Sequence, residues 1–204
     1  LWPYHLISGG RFMTEHYHFF AYLSRMRYIN RWGLMRNTFQ ENIQEHSHVV
    51  AVLAHALAVI RREVFGGEID PGLAAAAALF HDAPEILTGD LPTPVKYYNP
   101  EIRDAYKAVE EFSARKLLSL LPEELRGAYE PLLLEACGTQ VQAVVKAADK
   151  LSAYLKCLEE LKAGNLEFKL CLLYTSPSPR RETASSARPR SRPGRRWRTP
   201  PCRK

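Results

Sequence analysis

Residues 72–94 read "GLAAAAALFHDAPEILTGDLPTP". From Gly72 to Phe80 the stretch is alanine-rich and apolar all round, and Pro71 ahead of it suits a helix N-terminus, so it reads as a buried central helix. His81 and Asp82 follow directly, then Glu85, then Asp90 in a proline-bracketed loop. Pro84 lacks an N–H and its ring clashes with the carbonyl four residues back, which forces a kink or break just after the His-Asp doublet. Four ionisable groups therefore crowd the end of a core helix, where unpaired charge is costly to bury.

The flanking sequence is helical as well. Between Tyr17 and Ile29, the apolar Phe20, Leu23, Tyr28 and Ile29 predict an amphipathic helix ending near Trp32 and Gly33. Asn42 or a neighbour caps a second helix, which runs through the apolar series Val49, Val52, Leu53, Ala56, Val59 and Ile60 and stops at Gly66 and Gly67. Residues 91–100, with Pro92, Pro94 and Pro100, read as an ordered loop. Beyond them Ile102, Tyr106, Val109, Phe112, Leu117 and Leu120 recur at helical spacing, Pro122 opens another helix, and a long last one closes at Gly164 and Asn165. No strand-like alternation or internal repeat is visible. The expectation is an all-α fold of about six helices.

With 204 residues, 46% hydrophobic and 25% charged, the chain has room for one domain with a real core. Its charge of +6 is unevenly placed. Ten of the 28 Lys and Arg residues but one of the 22 acidic residues fall in 171–204, leaving the first 170 residues at −3. A basic groove on the folded body, and hence a nucleic-acid partner, is not expected. Residues 171–204 have no apolar periodicity after Tyr174 and are rich in Pro, Arg and Ser, so they read as a disordered basic tail. Within it "LLYTSPSPR" resembles a translated sequencing adaptor, which marks the tail as a translation or sequencing artefact. Residues 1–12, ahead of Met13, read as a non-native upstream extension, which leaves 13–170 as the domain. No run of about twenty apolar residues occurs, so no membrane span is expected. Cys137, Cys157, Cys171 and Cys202 show no metal-clip spacing and read as reduced thiols of a cytoplasmic protein.

His46, His81, Asp82 and Asp149 each lie on or beside a helix with apolar neighbours. Two imidazoles and two carboxylates form a mixed N/O set suited to Co²⁺, Mn²⁺, Fe²⁺ or Zn²⁺ rather than to Ca²⁺. Spacing alone leaves other readings open. Asp82 can cap a helix restarting at Pro84, and Asp149 can pair with Lys146 or Lys150. His48 and His55 exemplify ordinary helix histidines with no metal role.

The order His, His-Asp, Asp, with the doublet ending an apolar helix, resembles the HD-domain superfamily of metal-dependent phosphohydrolases. The blocks "HFFAYLSRMRYINRWGLMRN", "ENIQEHS", "HDAPEILTGDLPTPVKYYN" and "KAADKLSAYLKCLEELKAGN" resemble more closely the bacterial 5'-deoxynucleotidases, over roughly residues 13 to 170. The resemblance implies an HD-domain helical bundle acting on deoxyribonucleoside 5'-monophosphates. It also implies one divalent ion, Co²⁺, Mn²⁺ or similar, on His46, His81, Asp82 and Asp149. Substrate contacts are implied for Arg31, Trp32, His46, Asp90 and Thr93, and catalytic roles for Glu85 and Asp90. Glu85 is then placed to orient or deprotonate water, or to protonate the leaving oxygen. Arg31 offers a planar fork for phosphate oxygens, and Trp32 an apolar plate for sugar or base. Gly33 and Pro84 depart from the family pattern, and the family's closing helix after about Leu170 is missing. A homodimer is the assembly implied for full-length members.

Overall fold

The structure, a computed structural model, describes residues 17–175; the expectations for 1–12, and for the tail from residue 176 onward, lie outside the described residues. The described residues form α1 (Phe19–Leu23), α2 (Ile43–Glu63), α3 (Pro71–Phe80), α4 (Glu85–Thr88), α5 (Thr93–Lys96), α6 (Pro100–Ser119), α7 (Glu123–Leu133), α8 (Thr139–Lys162) and α9 (Lys169–Thr175). Short 3-10 turns follow α1 and precede α9. The all-α expectation holds: the six anticipated helices are α1, α2, α3, α6, α7 and α8. Two single-turn helices, α4 and α5, interrupt the proline-rich stretch that reads as loop, and α9 carries regular structure through Thr175, beyond the expected boundary at Leu170.

Local chemistry sets the boundaries. Asn42 caps α2 in a reciprocal box: its side chain accepts from the Gln44 and Glu45 N–H groups while Glu45 reaches back to the Asn42 N–H. Asp70 accepts from the Gly72 N–H ahead of α3, with Pro71 in the first turn. The first helix is shorter than its periodicity suggests. Ser24 bonds back to the Ala21 carbonyl at 2.7 Å, and Ile29 must be extended to accept from the Ile43 N–H at 3.0 Å, so residues 24–28 tighten into a 3-10 turn.

The core is built on α2, α3 and α8, packed through small side chains. Val50, Ala51, Ala54 and Ala58 of α2 meet Ala74 and Ala78 of α3 and Val141, Val144, Val145 and Ala148 of α8. This corrects the apolar series expected on α2: Val49, Val52 and Ile60 are exposed, because the alanine stripe allows closer helix approach. The same holds on α6, where Val109 and Phe112 face outward while Ala114 and Leu117 enter a second cluster with Phe19, Ala83, Leu121 and Leu133. Helix α2 is long and apolar enough to cross a membrane by length and composition, but in this fold one of its faces packs on α3 and α8.

Candidate active site

The three-helix core sets the proposed ligands at one level. His46 lies one turn before Val50, His81 follows one turn after Ala78, and Asp149 lies one turn after Val145, so three buried apolar residues fix three polar ones. His46 is fully buried. Ligand atoms of His46, His81 and Asp149 all lie within 4.8 Å of one another, a group able to hold a divalent metal ion. Asp82 joins them from the break after α3, with Oδ1 3.3 Å from His81 Nε2 and Oδ2 3.6 Å from His46 Nε2. Its side chain does not cap α4, whose N-cap is Pro84. Asp149 sits 3.1 Å from His46 Nε2, whereas Lys146 reaches Glu135. His48 and His55 are exposed.

The donor set fits a metal on its own chemistry. Nε2 of both His46 and His81 is buried and faces carboxylate oxygens, Asp149 at 3.1 Å from His46 and Asp82 at 3.3 Å from His81. The opposite nitrogens are engaged. His81 Nδ1 is 2.7 Å from the Ala78 carbonyl, which can only accept, so that nitrogen carries a proton and Nε2 is the one turned towards Asp82 and the cluster. His46 Nδ1 is 3.3 Å from Ser152 Oγ and 3.7 Å from Glu41 Oε1.

The charges of the cluster balance one another. Burial opposes a charged His46, but the Asp149 and Glu41 carboxylates and the Asp82 charge raise its pKa above the ordinary value. Burial likewise works against the Asp149 carboxylate, and His46, with the His81 and Arg31 charges, holds it down at about 2. Arg31 completes the balance, its Nη1 3.1 Å from Asp82 Oδ2 and its Nε 3.6 Å from Glu41 Oε2.

A cavity of about 800 Å³ opens beside the cluster, walled by His81, Asp82, Glu85, Lys96 and Asp149, with Lys107, Lys146 and Lys150 also in its lining. Glu85 is buried, and its Oε2 has no hydrogen-bond partner. Burial, then the Asp82 and Asp90 charges, push its pKa up to about 9, against the opposing pull of Lys96 and Arg31. Lys96 lies 3.7 Å from Glu85 and 2.9 Å from Glu110, and remains cationic because Glu110 outweighs the cost of burial. Asp90 is half-buried in the loop opened by Gly89, whose φ of 72° suits a residue without Cβ. Thr93 is exposed in the first turn of α5. Arg31 and Trp32 do not line the cavity; Arg31 reaches the cluster through Asp82.

Several residues near the site have no warning in the sequence. Glu41 and Ser152 contact His46, and Lys96 contacts Glu85. Farther out, Lys156, Glu160 and Asn165 tie the loop after Trp32 to α8. Glu160 accepts from the Thr38 and Phe39 N–H groups at 2.9 and 3.1 Å and from Lys156 at 2.5 Å, while Lys156 also donates to the Phe39 carbonyl. Asn165 donates to the Arg36 carbonyl at 2.6 Å and to Glu160 at 2.8 Å. Glu160 is fully buried, and these donors hold it ionised despite that burial. A Lys and Glu four apart on a helix ordinarily read as a surface pair.

The sequence and the fold both have counterparts among known proteins. Residues 18–175 match the family described as 5'-deoxynucleotidase YfbR-like. The chain belongs to the YfbR-like 5'-deoxynucleotidase family. A 5'-deoxynucleotidase of Erwinia tasmaniensis is 57% identical over 154 residues, covering 75% of this chain and 78% of the relative. The 5'-deoxynucleotidase YfbR of Salmonella paratyphi B is 56% identical over the same length, covering 75% and 77%. Among solved structures, an HD-domain phosphohydrolase from Listeria innocua is 26% identical, with a TM-score of 0.69 over 78% of this chain and 76% of that one. The resemblance in the sequence to bacterial 5'-deoxynucleotidases and to an HD-domain helical bundle is therefore borne out.

Proposed function

We propose that this family member hydrolyses deoxyribonucleoside 5'-monophosphates to deoxyribonucleosides and phosphate, with one divalent ion held by His46, His81, Asp82 and Asp149. The observation that carries the reading is the pair of buried Nε2 atoms that face the Asp82 and Asp149 carboxylates, with His81, Asp82 and Asp149 lining a cavity of about 800 Å³. The mixed N/O set suits a borderline divalent ion such as Co²⁺, Mn²⁺, Fe²⁺ or Zn²⁺. Such an ion supplies a polarised phosphoryl oxygen and water activated for attack at neutral pH.

The side chains then divide the work. Arg31 presents its fork to the phosphate oxygens once Asp82 is engaged elsewhere, and Trp32 packs on the sugar. The oxygen of water bonds to phosphorus as the bond from phosphorus to the 5'-oxygen breaks; one proton of that water passes to solvent, phosphate leaves as hydrogen phosphate, and Glu85 regains a proton from solvent after donating its own. Glu85, whose pKa of about 9 keeps it protonated at neutral pH in the ion-free protein, gives its proton to the departing 5'-oxygen. Asp90 favours that protonated state by its charge and offers a carboxylate to the substrate hydroxyl. Thr93 adds a hydroxyl at the mouth of the site. A rigid wall of Trp32 and residues 89–94 penalises a 2'-hydroxyl.

The wider assignment follows the same reading. Cys137, Cys157 and Cys171 are free, which suits the cytoplasm. The −3 charge of residues 1–170 argues against a nucleic-acid partner, and the packing of α2 into the core argues against a membrane span. The assembly proposed for the full-length enzyme is a homodimer. The test is phosphate release from deoxyadenosine 5'-monophosphate, its ribose analogue and its 3'-phosphate isomer. Turnover confined to the 5'-deoxy compound supports the reading; equal turnover of all three contradicts the sugar and position preference.

A further inference from the structure

Glu41 lies ahead of α2, across a two-residue antiparallel bridge from the Arg31 and Trp32 pair. Asn30 and Asn42 form that bridge, and the Arg31 N–H donates to the Glu41 carbonyl at 2.9 Å. The two oxygens of the Glu41 carboxylate face different partners. Oε2 accepts from Trp32 Nε1–H at 3.0 Å and sits 3.6 Å from Arg31 Nε, a buried atom without a hydrogen bond of its own. Oε1 lies 3.7 Å from His46 Nδ1. Trp32 itself has a φ of 59°, a left-handed conformation that a bulky residue rarely adopts and that surrounding contacts must hold. On its far side Trp32 meets Phe168, with ring centroids 5.3 Å apart.

We infer that Glu41 is a positioning residue that ties the substrate-orienting Arg31 and Trp32 to the metal-holding His46 through one carboxylate; the inference rests on the reading of the site given above. The Glu41 charge, 3.7 Å from His46 Nδ1 and beyond hydrogen-bond reach, favours a proton on that nitrogen, which Ser152 Oγ at 3.3 Å can accept, and so leaves Nε2 free to bind an ion. Oε2 holds the Trp32 indole in its left-handed setting and keeps Arg31 aimed between Asp82 and the phosphate position. A glutamine keeps one acceptor for Trp32 but turns an amide NH₂ towards His46 Nδ1, which drives the imidazole proton towards Nε2. An alanine loses both functions.

The experiment uses the full chain as wild type, Glu41→Gln and Glu41→Ala, with folding checked by circular dichroism. Calorimetric titration with Mn²⁺ in the absence of nucleotide gives metal affinity. Phosphate release from deoxyadenosine 5'-monophosphate at saturating Mn²⁺ gives KM and kcat. Glu41→Gln is expected to lose about 10- to 100-fold in metal affinity while its KM at saturating metal stays within about threefold of wild type. Glu41→Ala is expected to show the same metal loss and a KM raised by about tenfold. Folded variants whose metal affinity and KM both match wild type overturn the inference. If Glu41→Ala does not fold, the metal affinity of Glu41→Gln alone decides. If wild type binds Mn²⁺ without releasing phosphate, the proposed activity fails, while the link from Glu41 to His46 still stands or falls on the titrations.

Discussion

Arg31 Nη1 lies 3.1 Å from Asp82 Oδ2, so the residue best shaped to grip a phosphate is bound to a carboxylate of the proposed metal cluster. If Asp82 takes part in holding an ion, the guanidinium would be available to the substrate. Arg31→Ala should therefore lower kcat/KM for deoxyadenosine 5'-monophosphate by roughly 10- to 100-fold, the worth of a charged hydrogen bond. Its metal affinity should hold or rise, since a competing cation has gone. Steady-state kinetics beside calorimetric metal titration checks both halves; a large fall in metal affinity would contradict the account.

Asp149 has a pKa of about 2, so it is ionised at every working pH and ready to receive a cation. Metal at about 100 times its dissociation constant should stabilise the wild-type fold by roughly 2.7 kcal/mol. Asp149→Asn should abolish most of that increment, seen as a melting temperature that no longer responds to Mn²⁺. A full metal-induced shift in the variant would remove Asp149 from the ligand set.

Glu85 bears on both catalysis and stability. Glu85→Gln should retain metal binding and lose about 100- to 10,000-fold in kcat, the usual worth of a general acid. The stability effect has the opposite sign. With the folded pKa near 9, the unfolded chain releases this proton above the ordinary carboxylate range while the folded chain keeps it, so parent stability falls as pH rises towards 9. Metal-free Glu85→Gln should accordingly melt higher than the parent, by a margin that widens from about pH 5 to about pH 9. A margin that is constant with pH would mean that Glu85 is ionised in the folded protein.

Much of this is legible in the sequence because it depends on local pattern. Asn42 and Pro71 mark helix starts through backbone chemistry that any chain obeys, and Pro84 has to break the helix after His81 and Asp82. Which side of α2 faces inward is not local. The apolar series Val49, Val52 and Ile60 marks the helix but not its buried face, because the packing selects Ala51, Ala54 and Ala58, where α3 and α8 approach closely. Glu41, Lys96 and Glu160 escape notice for a related reason: each looks like a solvated charge until a distant element closes over it.

Glu160 illustrates the cost of such burial. Glu160→Ala leaves Lys156 buried and unpaired and frees the Thr38 and Phe39 N–H groups, so it should destabilise the fold by about 3–5 kcal/mol in urea titration. Because the released loop follows Arg31 and Trp32, KM should rise as well. A loss below about 1 kcal/mol, the scale of an exposed pair, would show that the network is not buried in solution.

The central claim is that phosphate release requires an ion on the cluster of His46, His81, Asp82 and Asp149. The most direct measurement is release from deoxyadenosine 5'-monophosphate by protein stripped of metal and then resupplied with Mn²⁺ or Co²⁺, with Asp82→Ala alongside. The account predicts no release from stripped wild type, recovery on resupply, and none from Asp82→Ala under either condition. Release that persists in stripped protein, or recovery in Asp82→Ala equal to wild type, would contradict it.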